Sequence, residues 1–170
     1  MSGIQAFMAE GSVWTTLVLM SGFFERHPKL NAAVLESGCT WLPVILDECD
    51  KAYKLFGNDR RMPPLKNLPS ETFFQHCFIS FEGEEIFPSC LPEYFKNNGI
   101  WASDVYHDDG DDAWKAIKTM RTNRVPVSIQ KKLMGDNARF LYKIQPSSKI
   151  IRDRVELTSS FTLMAGKATT

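Results

Sequence analysis

The chain has 170 residues, with 20 Lys+Arg against 20 Asp+Glu, so it is long enough for one domain with a real core and carries no formal net charge. A balanced surface without a long run of one sign offers nucleic acid or an anionic membrane no electrostatic hold, and neither is expected as a partner. The longest apolar stretch, near Val13 to Met20, is interrupted by Trp14-Thr15-Thr16 and ends at Ser21-Gly22. That is too short and too polar for a bilayer span, and no basic segment precedes it as in a secretory leader, so a cytoplasmic protein is expected.

In chain order, Gly11 to Arg26 reads as a helix with Ser12 as its N-cap, stopped by His27-Pro28 because the residue before proline leaves the helical region. Leu30 to Leu35 is a short apolar run of strand length, followed by Glu36-Ser37-Gly38. Trp41 to Phe56 has apolar residues at helical spacing, with Pro43 tolerated in the first turn. Gly57 to Pro69 reads as a polar surface loop, and Phe73 to Phe81 as a second strand ending at Glu82-Gly83. Glu84 to Asn97 is expected to be a helix made irregular by Pro88 and Pro92. Gly99 to Ser103 is a third strand, with Asp104 and then His107-Asp108-Asp109 at its end. Helices follow at Asp112 to Arg121 and Ser128 to Tyr142, which contains Gly135. Residues 1–145 read as the folded part and 146–170, mixing Ser, Thr and charge, as a weakly ordered tail.

Apolar strands that alternate with helices, with no hairpin signal between them, indicate parallel α/β construction. Runs that are apolar throughout indicate strands buried on both faces. Polar residues collecting where strands end suit a site at the carboxyl edge of such a sheet. There is no GxGxxG, GxxxxGK[ST] or GxSxG, which removes the usual signals for nucleotide binding and for a nucleophile elbow. Cys39, Cys49, Cys77 and Cys90 show no CxxC spacing and are expected to be reduced, buried thiols.

Several stretches together resemble the amidohydrolase-related family that includes aminocarboxymuconate semialdehyde decarboxylase and the hydroxybenzoate decarboxylases. They are SGFFERHPKL from Ser21 to Leu30, Leu35-Glu36-Ser37-Gly38 with Trp41-Leu42-Pro43, and Leu68-Pro69-Ser70-Glu71 with Phe78 to Glu82. WASDVYH from Trp101 to His107 and Gly135-Asp136-Asn137-Ala138 with Leu141-Tyr142 complete the set. The resemblance implies a (β/α)₈ barrel of which this chain carries the last three or so β/α units, with parallel strands. It also implies a divalent metal, zinc above all, at the barrel mouth, held by an HxH pair, a further histidine and an aspartate after the last strand. By position Asp104 is that aspartate, a metal ligand and catalytic residue that helps take or hold a proton from metal-bound water. Glu36, Ser37 and His107 are the expected substrate-binding residues, each with a plainer alternative as rim carboxylate, turn serine and exposed loop histidine.

The departures are specific. Only His27, His76 and His107 are present, and none forms HxH or falls where the fifth-strand ligand belongs. Ser37 stands where the decarboxylase branch carries a catalytic histidine. His27 reads as a helix C-terminal residue favouring the macrodipole, His76 as structural within its strand, and Trp41 and Trp101 as core aromatics. The resemblance begins near the fifth helix, so the expected function is the C-terminal part of a metal-dependent hydrolase or carboxy-lyase acting on a small organic substrate, inactive as an isolated chain. The alternative is a non-catalytic remnant or an interaction module. Three strands taken from a barrel leave two unpaired edges, so self-association or pairing with the missing part is expected as well.

Overall fold

The computed structural model describes residues 2–107, 110 and 112–145. The expected tail from 146 to 170 and the Asp108-Asp109 pair lie outside the described residues.

Helix α1 (Ser2–Met20) begins well before the expected Gly11 and ends before the expected Arg26. Ser12 does not cap it; its hydroxyl donates to the Ala9 carbonyl at 2.8 Å from within the helix. The end is set by Gly22 at φ 66, a left-handed conformation that glycine adopts without a Cβ penalty, after which one further turn forms α2 (Phe23–Arg26). Strand β1 (Ala32–Val34) is shorter than the apolar run that contains it. Helix α3 (Leu42–Phe56) matches its expected bounds to within a residue and carries Pro43 in its first turn.

The expected strand from Phe73 divides into α4 (Pro69–His76) and β2 (Cys77–Phe81). A short apolar run such as FFQHCFISF fits either state by pattern alone, and here the start signals decide. Pro69 occupies the first helical turn, and Glu71 Oε2 accepts from the Leu68 amide at 2.9 Å. From α3, Asp50 accepts both the Ser70 amide at 2.8 Å and the Ser70 hydroxyl at 2.6 Å. His76 therefore closes a helix rather than sitting within a strand. Its ring stacks on Phe24 with centroids 4.7 Å apart, and Nδ1 donates to the Leu30 carbonyl at 3.1 Å.

In place of one helix from Glu84 to Asn97 there are two single turns, α5 (Phe87–Cys90) and α6 (Pro92–Phe95), each with a proline in its first turn. Pro92 could not continue a helix from Phe87, because it lacks the N–H and its ring clashes with the turn before. Strand β3 (Gly99–Trp101) follows. Helix α7 (Ala113–Thr122) is capped by Asp112, which accepts from the Lys115 amide at 2.9 Å. The expected helix from Ser128 to Tyr142 is interrupted: α8 (Val127–Lys131) widens into a π turn over Lys132–Asp136, which contains Gly135, before α9 (Asn137–Tyr142).

The three strands form one parallel sheet in the order β1-β2-β3. Ala32 pairs with Cys77 and Val34 with Ile79 on one side, and Ile79 with Gly99 and Phe81 with Trp101 on the other. Every residue of the central strand is buried, as the unbroken apolar run requires. Cys77, Ile79 and Phe81 point into the core shared with Leu19, Phe24, Leu42, Leu46 and Leu133. Phe78 and Ser80, on the opposite face, are buried too.

Two buried amides lock the edge where the strands begin. Asn98 Nδ2 donates to the carbonyls of Phe74 and Cys77 at 3.0 and 2.7 Å, and Asn137 Nδ2 to those of Lys96 and Gly99 at 3.0 and 2.8 Å. Cys39, Cys49 and Cys77 are buried as expected, but Cys90 is exposed: the turn at Pro88 and Pro92 faces its side chain outward. No helix among the described residues is long and apolar enough to cross a membrane.

Candidate functional site

Because the strands are parallel, their carboxyl ends share one edge, and the candidate residues leave the sheet there. Glu36 and Ser37 follow β1, Glu82 follows β2, and Asp104 and His107 follow β3. With neighbouring strands about 4.8 Å apart, the β1 and β3 exits are separated by roughly 10 Å, the width of a small substrate.

Both outer exits turn through left-handed backbone, Glu36 at φ 56 and Asp104 at φ 50. Few non-glycine residues adopt this conformation, aspartate more readily than most. At β1 the turn is held from the neighbouring strand, where the Ser80 hydroxyl accepts from the Glu36 amide at 3.2 Å. Ser37 lies against α1: its hydroxyl donates to the Gly38 carbonyl at 3.3 Å, and its own carbonyl accepts from Trp41 Nε1 at 3.0 Å. A Cβ on Gly11 would lie 2.8 Å from the Ser37 side chain, so this glycine permits the close approach of helix and loop. Trp41 is thus a buried core aromatic, and Trp101 is half-buried against the same core.

After β3, Asp104 and His107 meet within their own loop, Oδ2 lying 2.9 Å from Nδ1. The histidine is mostly exposed, and the aspartate side chain is only about one-fifth so. His27 stands apart from this edge, exposed, with its ring 4.8 Å from that of Phe23.

The organising residue that the sequence reading missed is Glu85. Its Oε2 accepts from the Cys39 amide at 2.8 Å and its Oε1 from the Glu82 amide at 3.0 Å. One carboxylate therefore ties the β1 exit to the β2 exit. Gly38, at φ 63, passes so close that a Cβ there would lie 3.3 Å from that carboxylate. The Cys39 thiol is driven far above its ordinary range, first by burial and then by the negative charge of Glu85. Nearby, Lys115 of α7 pairs with Glu84 and fastens the helix to the same loop. The EGEE run after the second strand was the available signal, but nothing in it tells a clamp from a solvated acidic turn.

Asp104 with His107 can hold a proton between them or offer a ligand to a cation, yet among the described residues no group of three or more His, Cys, Asp or Glu converges as a metal site. A catalytic divalent metal normally takes three protein ligands. The donors among the described residues therefore do not make up such a centre by themselves.

No protein-family model and no curated protein matches the chain. Solved structures do. 5-Carboxyvanillate decarboxylase of Sphingomonas paucimobilis superposes with a TM-score of 0.60 at 23% identity, over 76% of this chain and 38% of that one. An amidohydrolase of Mycobacterium avium subsp. paratuberculosis gives 0.60 at 22% identity, over 75% and 32%. A dihydroxybenzoic acid decarboxylase of Polaromonas sp. JS666, with bound manganese and the inhibitor 2-nitroresorcinol, gives 0.61 at 16% identity, over 80% and 40%. The chain spans well under half the length of these proteins, and at such identities the likeness shows fold. It is a mixed α/β chain of three parallel strands, folded like a segment of decarboxylases and amidohydrolases.

Proposed function

We propose that this chain is the C-terminal part of a (β/α)₈ barrel of the amidohydrolase-related decarboxylase type, and that it contributes one ligand, Asp104, to a metal centre completed by residues outside it. The observation that carries this reading is the exit of Asp104 from the third of three parallel strands, at the edge shared with Glu36 and Glu82, in a fold that superposes on decarboxylases. The metal is a divalent cation. Zinc is the expectation from the sequence resemblance, and manganese is the ion named for the dihydroxybenzoic acid decarboxylase structure. Bound, it would supply a Lewis acid against the substrate's oxygens. From this chain, Asp104 would hold the cation side, while Glu36 and His107 would line a pocket for a small aromatic or cyclic carboxylate. Ser37 would shape the pocket by positioning the loop.

As an isolated chain it would be inactive, because one carboxylate and one adjacent imidazole are too few ligands. The purified chain, dialysed against Mn(II) or Zn(II), is expected to retain well under one ion per molecule by elemental analysis and to release no CO2 from dihydroxybenzoates. One tightly held ion per chain would overturn the reading. A chimera that replaces the matched segment of 5-carboxyvanillate decarboxylase with residues 11–144 tests the positive side. It should retain manganese, and Asp104→Ala should abolish that retention. A folded chimera that binds metal equally well without Asp104 would refute the assignment.

A further inference from the structure

We draw no further inference here: the strongest candidate, the cavity of about 190 Å³ between α2 and α4 lined by Glu25 and His76, carries nothing, because the unpartnered Glu25 Oε2 is buried out of a ligand's reach and nothing else in the structure shows what the cavity would take.

Discussion

Glu85 and Cys39, 46 positions apart in sequence, are joined at the carboxyl edge of the sheet, where Glu85 Oε2 accepts the Cys39 amide at 2.8 Å. The same carboxylate reaches the Glu82 amide at 3.0 Å, so the first two strand exits are held by one side chain. Replacing Glu85 with Ala leaves two loop amides without their acceptor, at about 1–3 kcal/mol for each buried donor. The expected result is a loss of about 2 kcal/mol or more in urea unfolding, with Glu85→Gln keeping part of the stability through its one remaining acceptor oxygen. Equal stability of Glu85→Ala and the wild type would show that the clamp is incidental.

Asn98 performs the corresponding task where the strands begin. Its amide bridges the carbonyls of Phe74 and Cys77, at the junction where α4 gives way to β2. Asn98→Leu keeps the volume and removes both donors, so a destabilisation of about 2–4 kcal/mol is expected from two stranded carbonyls. Asn98→Asp should be worse than neutral as well, because a carboxylate presents acceptors to acceptors. Chemical denaturation of the two variants beside the wild type provides the check.

The thiols predict both reactivity and alkaline behaviour. Cys90 is exposed while Cys39, Cys49 and Cys77 are buried, so a thiol reagent should label about one cysteine per native chain quickly and the others only on unfolding. Burial raises the Cys77 thiol from its ordinary 9.0 to about 12 and also raises the Cys49 thiol. Tyr94 rises from 10.0 to about 12, chiefly through burial, with Asp50 and Asp47 adding to it. A group whose folded pKa is raised holds its proton longer in the native chain. The stability it contributes is therefore complete below the unfolded pKa and is lost as pH climbs from 9.0 toward about 12. Urea midpoints measured in reductant should fall across that alkaline window; a flat profile would contradict the burial of these groups.

Asp104 and His107 pair with each other within one loop, the imidazole mostly exposed. An exposed ion pair contributes at most about 1 kcal/mol, so Asp104→Asn should leave the melting temperature of the isolated chain almost unchanged. In a polypeptide carrying the remaining ligands, the same change should cost at least tenfold in metal affinity. A large loss of stability in the isolated chain would assign Asp104 to the fold instead.

How much of this was legible in the residues depends on the range of the forces involved. The parallel α/β class, the helix from Leu42 to Phe56 and the central strand follow from local pattern: apolar residues at helical spacing in one case, an unbroken apolar run in the other. The gathering of Glu36, Asp104 and His107 at strand ends was legible too, since it needs only strand boundaries and parallel order. The division of Phe73–Phe81 into helix and strand was only half legible: Pro69 and Glu71 mark a local helix start, but the apolar run fits either state, and the acceptors that Asp50 gives Ser70 come from a different helix.

The sequence by itself determined the class of fold and the chemistry available at its edge, because propensity, proline placement and hydrophobic periodicity act within a few residues. Only the tertiary structure decided that Ser37 turns toward α1, that Glu85 binds two strand exits together and that the outer face of α1 has nothing packed on it among the described residues. Each of these depends on groups far apart in the chain meeting, or failing to meet, in space. A hydrogen bond between Glu85 and Cys39 forms only after the sheet has closed the distance between them, and no local pattern records that closure.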